Sequence, residues 1–349
     1  MDIIAGGLRH LELLLLKKHE FIMKHMTILV PSGDGNNLSS IVGTYKIFSR
    51  ANDYWKRVHK KEMFKIQLAG NAKSVKFYDG LFCVQPHASI NAIRKTDLII
   101  IPSLNHNYDI SVKRNQSIID WISFQRRKGA EIASICTGAF LLASSGLLSG
   151  KSCSTHWSAA DDLRSRFPDI DVKMGKVITD ENGIYTNGGA FSFLNLIIYL
   201  VEKFYDRETA IYCAKVFQIE MDRTSQLSFV IFQAQKEHND DLIRKAQKFI
   251  EDHPHEKISI EELASRLSIG RRNFDRRFIK ATGDTPLEYA QRVKMESAKR
   301  AFENSFKTVN EVMYDVGYSD AKAFREVFKR VTGISPIEYR SKYNKGAAA

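Results

Sequence analysis

Cys136 stands where a chain could do thiol chemistry. It closes the short apolar run "EIASIC" (131–136) and is followed at once by Thr137, Gly138 and a helix-like stretch, "AFLLASSG". A strand that turns sharply into a helix exposes its turn residue above the sheet, beside helix N–H groups that lower a thiol pKa and bind an oxyanion. Such a thiol works as a nucleophile only with a base in reach and a group to orient that base. Without them, a lone cysteine on an apolar run is an inert buried residue. His156, twenty residues on in "STHW", offers an imidazole whose plainer reading is a helix-start or packing residue.

A second cluster has a different chemistry. Arg271, Arg272, Arg276, Arg277 and Lys280 are opposed within ten residues only by Asp275, a local net charge of +4. Arginine can bind guanine O6 and N7 in a bidentate way, and other cations neutralise phosphate. Phe274 and Phe278, four apart, must face a core, which turns Arg272, Asp275 and Arg276 to the opposite side of a helix.

The elements that must position these residues fall into two styles. From Met26, apolar runs of four to six residues alternate with helical patterns: "TILVP", "MFKIQLAG", "DLIIIP" and "EIASIC", each but the second leading into a longer amphipathic stretch. That alternation predicts a doubly wound α/β domain, a parallel sheet with helices on both faces. "VITDENGIYTN" (177–187) reads as an added hairpin turning at Asn182-Gly183, and "AFSFLNLIIYLVEKFY" (190–205) as a closing helix. Ligands of open α/β sheets sit at the carboxyl ends of the strands. There Gly33 and Asp34 after the first strand, Cys136, Thr137 and Gly138 at the elbow, and the Gly188-Gly189 turn should form a pocket.

Residues 206–240 carry no strand run and read as a helical connector with a linker near 237–241. Beyond it the chain repeats itself at an offset of 50: "NFDRRFIKATGDTPLEY" (273–289) aligns without gaps on "AFREVFKRVTGISPIEY" (323–339). Each copy holds two short helices around a turn, one containing Gly270, the other Gly317-Tyr318-Ser319, with Gly317 suited to a left-handed helix end. The expectation is an all-α domain of two helix-turn-helix units.

The pattern "VGYSD…AFREVFKRVTGISPIEYR" resembles the signature of AraC-family transcription regulators, across residues 241–345. The resemblance implies that Arg272, Asp275 and Arg276 read bases from the first copy and Ala321, Lys322 and Arg325 from the second, and Arg271 and Lys329 count with them as DNA contacts. This chain departs from the family by carrying Arg325-Glu326 where Ser-Arg is usual, and Glu326 would repel phosphate. "ICTGAFLLASSGLLSGKSCSTHW" and "YTNGGAFSFLNLIIYLVEKF" resemble the DJ-1/PfpI superfamily, in particular the glutamine-amidotransferase-like sensor domains fused to AraC-type readers. Enzymes of that superfamily with Cys-Thr at the elbow rely on an acid near the end of the first strand, and aligning Gly43 puts Ser40 in its place. Thr137 also stands where proteolytic and chaperone-like members have His. The resemblance therefore implies a sensing pocket without turnover, its pseudo-site Cys136, Thr137, Ser40 and His156. The alternative is a Cys-dependent hydrolase or hydratase fused to a DNA reader.

Composition bounds these readings. The 349 residues suit two domains, here 26–205 and 241–345 after an N-terminal extension of residues 1–25, and a start nearer Met23 or Met26 suits the first domain better. The net charge of +12 favours a polyanion partner, double-stranded DNA. Four cysteines without metal-like spacing point to a reducing cytoplasm, no metal and no cofactor. Uncharged apolar runs such as Leu13–Leu16 are far short of the ~20 residues a membrane span needs. A small-molecule effector and a homodimer formed through the N-terminal domain complete the expected partners, by resemblance.

Overall fold

The parallel sheet forms because its strands are apolar on both faces, as strands covered by helices on each side must be. The computed structural model describes residues 22–33, 37–105, 107–236 and 238–344. Seven strands lie in the order β10-β11-β7-β6-β1-β2-β5. They are β1 (Lys24–Leu29), β2 (Phe64–Gly70), β5 (Ala88–Ser89), β6 (Leu98–Ile101), β7 (Glu131–Ile135), β10 (Ile178–Asp180) and β11 (Ile184–Asn187). All neighbours are parallel except β10 with β11. Those two form the expected hairpin, with Asn182 at φ 54° and Gly183 at φ 78°, the two positive angles of a tight turn. β3 (Val75–Phe77) and β4 (Phe82–Val84) make a separate small hairpin.

Helices α1 (Leu38–His59), α2 (Tyr108–Arg114), α3 (Gln116–Arg127) and α4 (Ala139–Ser144) alternate with these strands. Gly43 of α1 lets the ring of Phe193 approach, since a Cβ there would lie 2.8 Å from it. Phe193 opens the closing helix α6 (Phe193–Phe204), and α7 (Arg207–Phe217) follows, its Ala210 and Cys213 buried in the same core as Phe48 and Phe64.

By contact the chain divides into two units. The α/β unit runs to Lys151 and resumes over Ile178–Asp222; the helical unit takes Ser152–Val177 and everything from Arg223. This division differs from the boundaries at 205 and 240 expected from sequence. α7 packs with the α/β core, while the segment of β8 (Ser152–Cys153), α5 (Ala160–Arg166) and β9 (Asp171–Val172) keeps company with residues 223–227. There the Val177 N–H donates to the Thr224 carbonyl (3.2 Å), and Gln226 donates to the carbonyls of Thr155 (2.9 Å) and Lys176 (3.3 Å). Among the described residues, the connector is helical only in α7 and in one 3-10 turn at Leu227–Phe229. Residues 223–232 run instead as a strap whose backbone groups are bonded outward: Lys299 donates to the Val230 carbonyl (2.6 Å), and the Phe232 N–H donates to Glu296 (3.1 Å).

The helical unit holds α8 (Asp241–Asp252), α9 (Ile260–Arg266), α10 (Arg271–Thr282), α11 (Pro286–Asn304), α12 (Val309–Asp315), α13 (Ala321–Thr332) and α14 (Pro336–Tyr343). It has two cores, and α11 serves both. Tyr289, Ala290 and Val293 enter the first with Phe274 and Phe278; Met295, Ala298 and Phe302 enter the second with Phe324 and Phe328. No helix among the described residues is long and apolar enough to cross a membrane.

Candidate nucleic-acid interface and elbow pocket

The two repeats fold alike because their local signals are alike. Thr285 and Ser335 each form a capping box with the glutamate three residues on, behind which Pro286 and Pro336 take the first helical position. Gly283 and Gly333 end α10 and α13 at φ 78°. Thr282 and Thr332 donate to the carbonyls of Phe278 and Phe328, both at 2.8 Å. Tyr289 and Tyr339 bury their rings and donate their hydroxyls to Glu251 and Glu303. The turns are where the copies part. Ser268 takes the left-handed conformation in the first (φ 55°) and Gly317 in the second (φ 72°), while Gly270 caps α10 at φ −66°. Counted from their caps Ser259 and Thr308, the left-handed residues match at an offset of 49, and the following caps Gly270 and Asp320 at 50. The second turn is one residue longer.

With both phenylalanine pairs fully buried, α10 and α13 present their remaining faces outward. Arg272 and Arg276 are exposed on α10, and Lys322, Arg325 and Lys329 on α13, with Ala321 partly covered at its start. Arg276 donates to Asn273 (3.0 Å), a partner on its own helix. Arg272 forms no ion pair among the described residues. Asp275, expected to read bases, is bonded instead to Arg271: the Arg271 Nε donates to both Asp275 oxygens (2.9 and 3.0 Å), and its Nη1 donates to Glu261 on α9 (3.0 Å). Arg277 turns back to Asp240 (2.6 and 2.8 Å), the cap of α8. Arg277 foremost, with the Ile243 and Leu242 amides, holds the Asp240 carboxyl below the usual carboxylate range. Glu326 lies exposed next to Arg325. The 19 residues of α11 span roughly 28 Å at ~1.5 Å per residue, close to the ~34 Å of one DNA turn that separates successive major-groove faces.

In the α/β unit, Cys136 sits at the end of β7 in the left-handed region (φ 54°), where the strand passes directly into a helical turn, and is 5% exposed. Gly138 is required there: a Cβ would lie 2.5 Å from the Pro102 carbonyl. Parallel pairing of Asn187 with Ile135 sets Gly188 and Gly189 beside the elbow, and pairing of Ile101 with Ser134 sets Ser103 beside it on the other side. Ser40 and Thr137 are drawn together through Ser103. The Ser103 N–H donates to Ser40 Oγ (3.1 Å), Ser40 Oγ donates to the Asn37 carbonyl (2.7 Å), and Ser103 Oγ lies 3.0 Å from Thr137 Oγ1. Thr137 Oγ1 also accepts from the Leu104 N–H (2.9 Å). The hydroxyl at the expected acid position is thus a strut of the loop after β6. Gly33 lies after β1 at φ 105°, near the Arg114 side chain; Asp34 falls outside the described residues. His156 belongs to the helical unit, where its Nδ1 accepts from the Ser158 N–H (3.2 Å) and caps a 3-10 turn.

Sequence reasoning missed Ser103, Asn187 and Lys294. Asn187 donates to the carbonyls of Gly188 and Ser192 (both 3.1 Å) and shapes the turn beside the elbow. A polar residue closing an apolar strand before Gly-Gly was the available signal. Lys294, flanked by core residues Val293 and Met295, carried the signal of a charge on an apolar face.

The sequence model of the DJ-1/PfpI family matches residues 26–203, just over half of the chain, and that of a helix-turn-helix domain matches residues 263–342. Among curated proteins, the chain is 24% identical over 223 residues to the HTH-type transcriptional regulator GbdR of Pseudomonas aeruginosa. That match covers 64% of this chain and 60% of GbdR. It is 25% identical over 229 residues to the HTH-type transcriptional regulator GlxA of Rhizobium meliloti, covering 61% of this chain and 66% of GlxA. A crystal structure of a Vibrio parahaemolyticus protein shares the fold, with a TM-score of 0.50 and 22% identity over 56% of this chain and 99% of that one.

Proposed function

This chain belongs to the DJ-1/PfpI family and carries an AraC-type helix-turn-helix domain, and from that premise we propose that it is a sequence-specific DNA-binding transcriptional regulator. The observation that carries the reading is the mounting of two reader helices, each with exposed cations, on one helix of about the length of a DNA turn. Arg272 and Arg276 read bases from the first copy, and Lys322 and Arg325 from the second. Arg271 and Asp275 brace α10 against α9, and Lys329 meets phosphate. The names of GbdR and GlxA support the same reading.

The α/β unit serves as a sensor. A small-molecule effector binds at the carboxyl ends of β1, β7 and β11, around Gly33, Cys136, Thr137, Gly138, Gly188 and Gly189, with Asp34, next to Gly33 in sequence, as a further candidate. Binding shifts how a homodimer, joined through this unit, presents its DNA readers, which requires different affinity for two arrangements. Turnover is not part of this reading, since Ser40 and Thr137 spend their hydroxyls on loop structure. The left-handed strain at Cys136 favours one second reading, a Cys-dependent hydrolase or hydratase.

The test is retention of the DNA that the full chain itself enriches from a random library. Each bidentate guanine contact carries ~1–3 kcal/mol, so Arg272→Ala with Arg276→Ala should lower affinity at least ~30-fold with the thermal transition unchanged. Unchanged affinity would remove α10 as a reader.

A further inference from the structure

Lys294 is a charged side chain in the middle of α11, yet it is only 8% exposed. Its ammonium has three donors, and all three are used. They go to the carbonyls of Pro254 (3.0 Å) and Glu256 (2.7 Å) in the turn that leads into α9, and of Val316 (2.8 Å) at the end of α12. Two of these acceptors lie in the loop that leads into the first helix-turn-helix copy and one in the second copy. Burial holds the ammonium down to about 8, with Glu256 opposing, so the protonated, three-donor form predominates at neutral pH.

Backbone contact reinforces the junction. Gly317, the left-handed residue of the second turn, lies against the first copy so closely that a Cβ would fall 2.2 Å from the His255 carbonyl and 2.9 Å from Lys294 Nζ. Ser268, its counterpart in the first turn, carries a side chain. The requirement for glycine therefore comes from the meeting of the copies and not from the turn alone.

We infer that Lys294 is a positioning residue that fixes the two reader helices in one relative setting, so that the chain accepts only one spacing between the two halves of its DNA site. α11 alone would leave that setting loose, because each copy touches α11 through its own core and the cores share no side chain among their buried members. Three bonds from one ammonium join the loop that leads into the first copy to the end of α12 in the second. Lys294 does not face the outward surfaces of α10 and α13, so it acts through them and not on DNA. This inference rests on the DNA-binding reading proposed above.

The experiment compares the full-length chain with Lys294→Met and Lys294→Gln, each allowed to enrich DNA from the same random library. The wild-type chain should enrich a two-part site with a single separation. Folded Lys294→Met should enrich the same two half-sites over several separations, bind the wild-type two-part site ~10-fold or more weakly, and bind either half-site alone as the wild-type does. Lys294→Gln, which keeps an N–H donor pair, should fall between, and it carries the test if Lys294→Met does not fold. A general structural defect would weaken half-site and full-site binding together and overturn the proposal. A folded variant that keeps the single separation would also overturn it. Enrichment of no sequence by the wild-type chain would remove the DNA-binding reading and this proposal with it.

Discussion

Replacing Gly317 with alanine, and Gly283 with alanine as its control, separates two reasons for a glycine. Both hold positive φ, 72° and 78°, where a side chain costs roughly 1–2 kcal/mol. Around Gly283 nothing lies within 4 Å of the added Cβ, so that cost stands alone. It is partly offset by ~0.4–1 kcal/mol, since alanine has fewer unfolded conformations to lose. Gly283→Ala should therefore cost about 1 kcal/mol. At Gly317 the Cβ meets the His255 carbonyl at 2.2 Å and crowds Lys294 Nζ at 2.9 Å. The acceptor is backbone, pinned beside two carbonyls already bonded to Lys294, so it must move by roughly an ångström, and such overpacking adds ~1–3 kcal/mol. Gly317→Ala should cost about 3 kcal/mol. For a domain of about 100 residues each kcal/mol lowers the melting temperature by ~4–8 °C. Calorimetry of the full chain should show the helical-unit transition falling by roughly 12–24 °C in Gly317→Ala and by less than about 8 °C in Gly283→Ala. Equal shifts would refute the argument, because backbone conformation alone would then explain Gly317.

Three further outcomes follow from the same geometry. Thr137→Val removes the acceptor for the buried Leu104 N–H and should destabilise the α/β unit by about 1–3 kcal/mol in urea unfolding, with Thr137→Ser recovering most of it. Arg277→Ala should lower stability only slightly at pH 7 in urea unfolding, since the pair with Asp240 is partly solvated. Asp240 titrates low in the folded chain, so its contribution is complete above pH ~4 and is lost as pH falls through its folded pKa; the variant should show a smaller acid-side loss on a stability–pH profile. Iodoacetamide followed by mass spectrometry should label exposed Cys83 first, with buried Cys136 and Cys153 slow and Cys213, whose thiol burial pushes up to about 11, slowest. Cys136 labelled faster than Cys83 would revive the enzyme reading.

Much of this architecture was legible because short-range signals carried it. The Asn182-Gly183 hairpin, the run into Cys136, the proline-led capping boxes and the phenylalanines four apart each fix backbone or burial within a few residues, and the structure realises them. The elbow was visible as a strand-to-helix change, whereas the occupation of Ser40 and Thr137 by the Ser103 loop was not, because Ser103 comes from a loop 34 or more residues away. Sequence made Asp275 a base reader and Arg271 a DNA contact; their bonds to each other, and that of Arg271 to Glu261, come from the folded packing of α9 on α10 and were not legible in it. The connector's helical expectation failed beyond Phe217, since its polar groups are satisfied by α11 and by residues 152–177 instead of by their own turns.

The sequence by itself determined that there are two styles of domain, where the repeat lies, which residues cap its helices and which faces of α10 and α13 carry charge. Periodicity and capping act over one or two turns, so they are written in adjacent residues. Only the tertiary structure decided which of those charges are free and how the two copies are set against each other. That setting depends on Lys294 reaching carbonyls 22 to 40 residues away and on Gly317 lying against His255, contacts that no local pattern specifies.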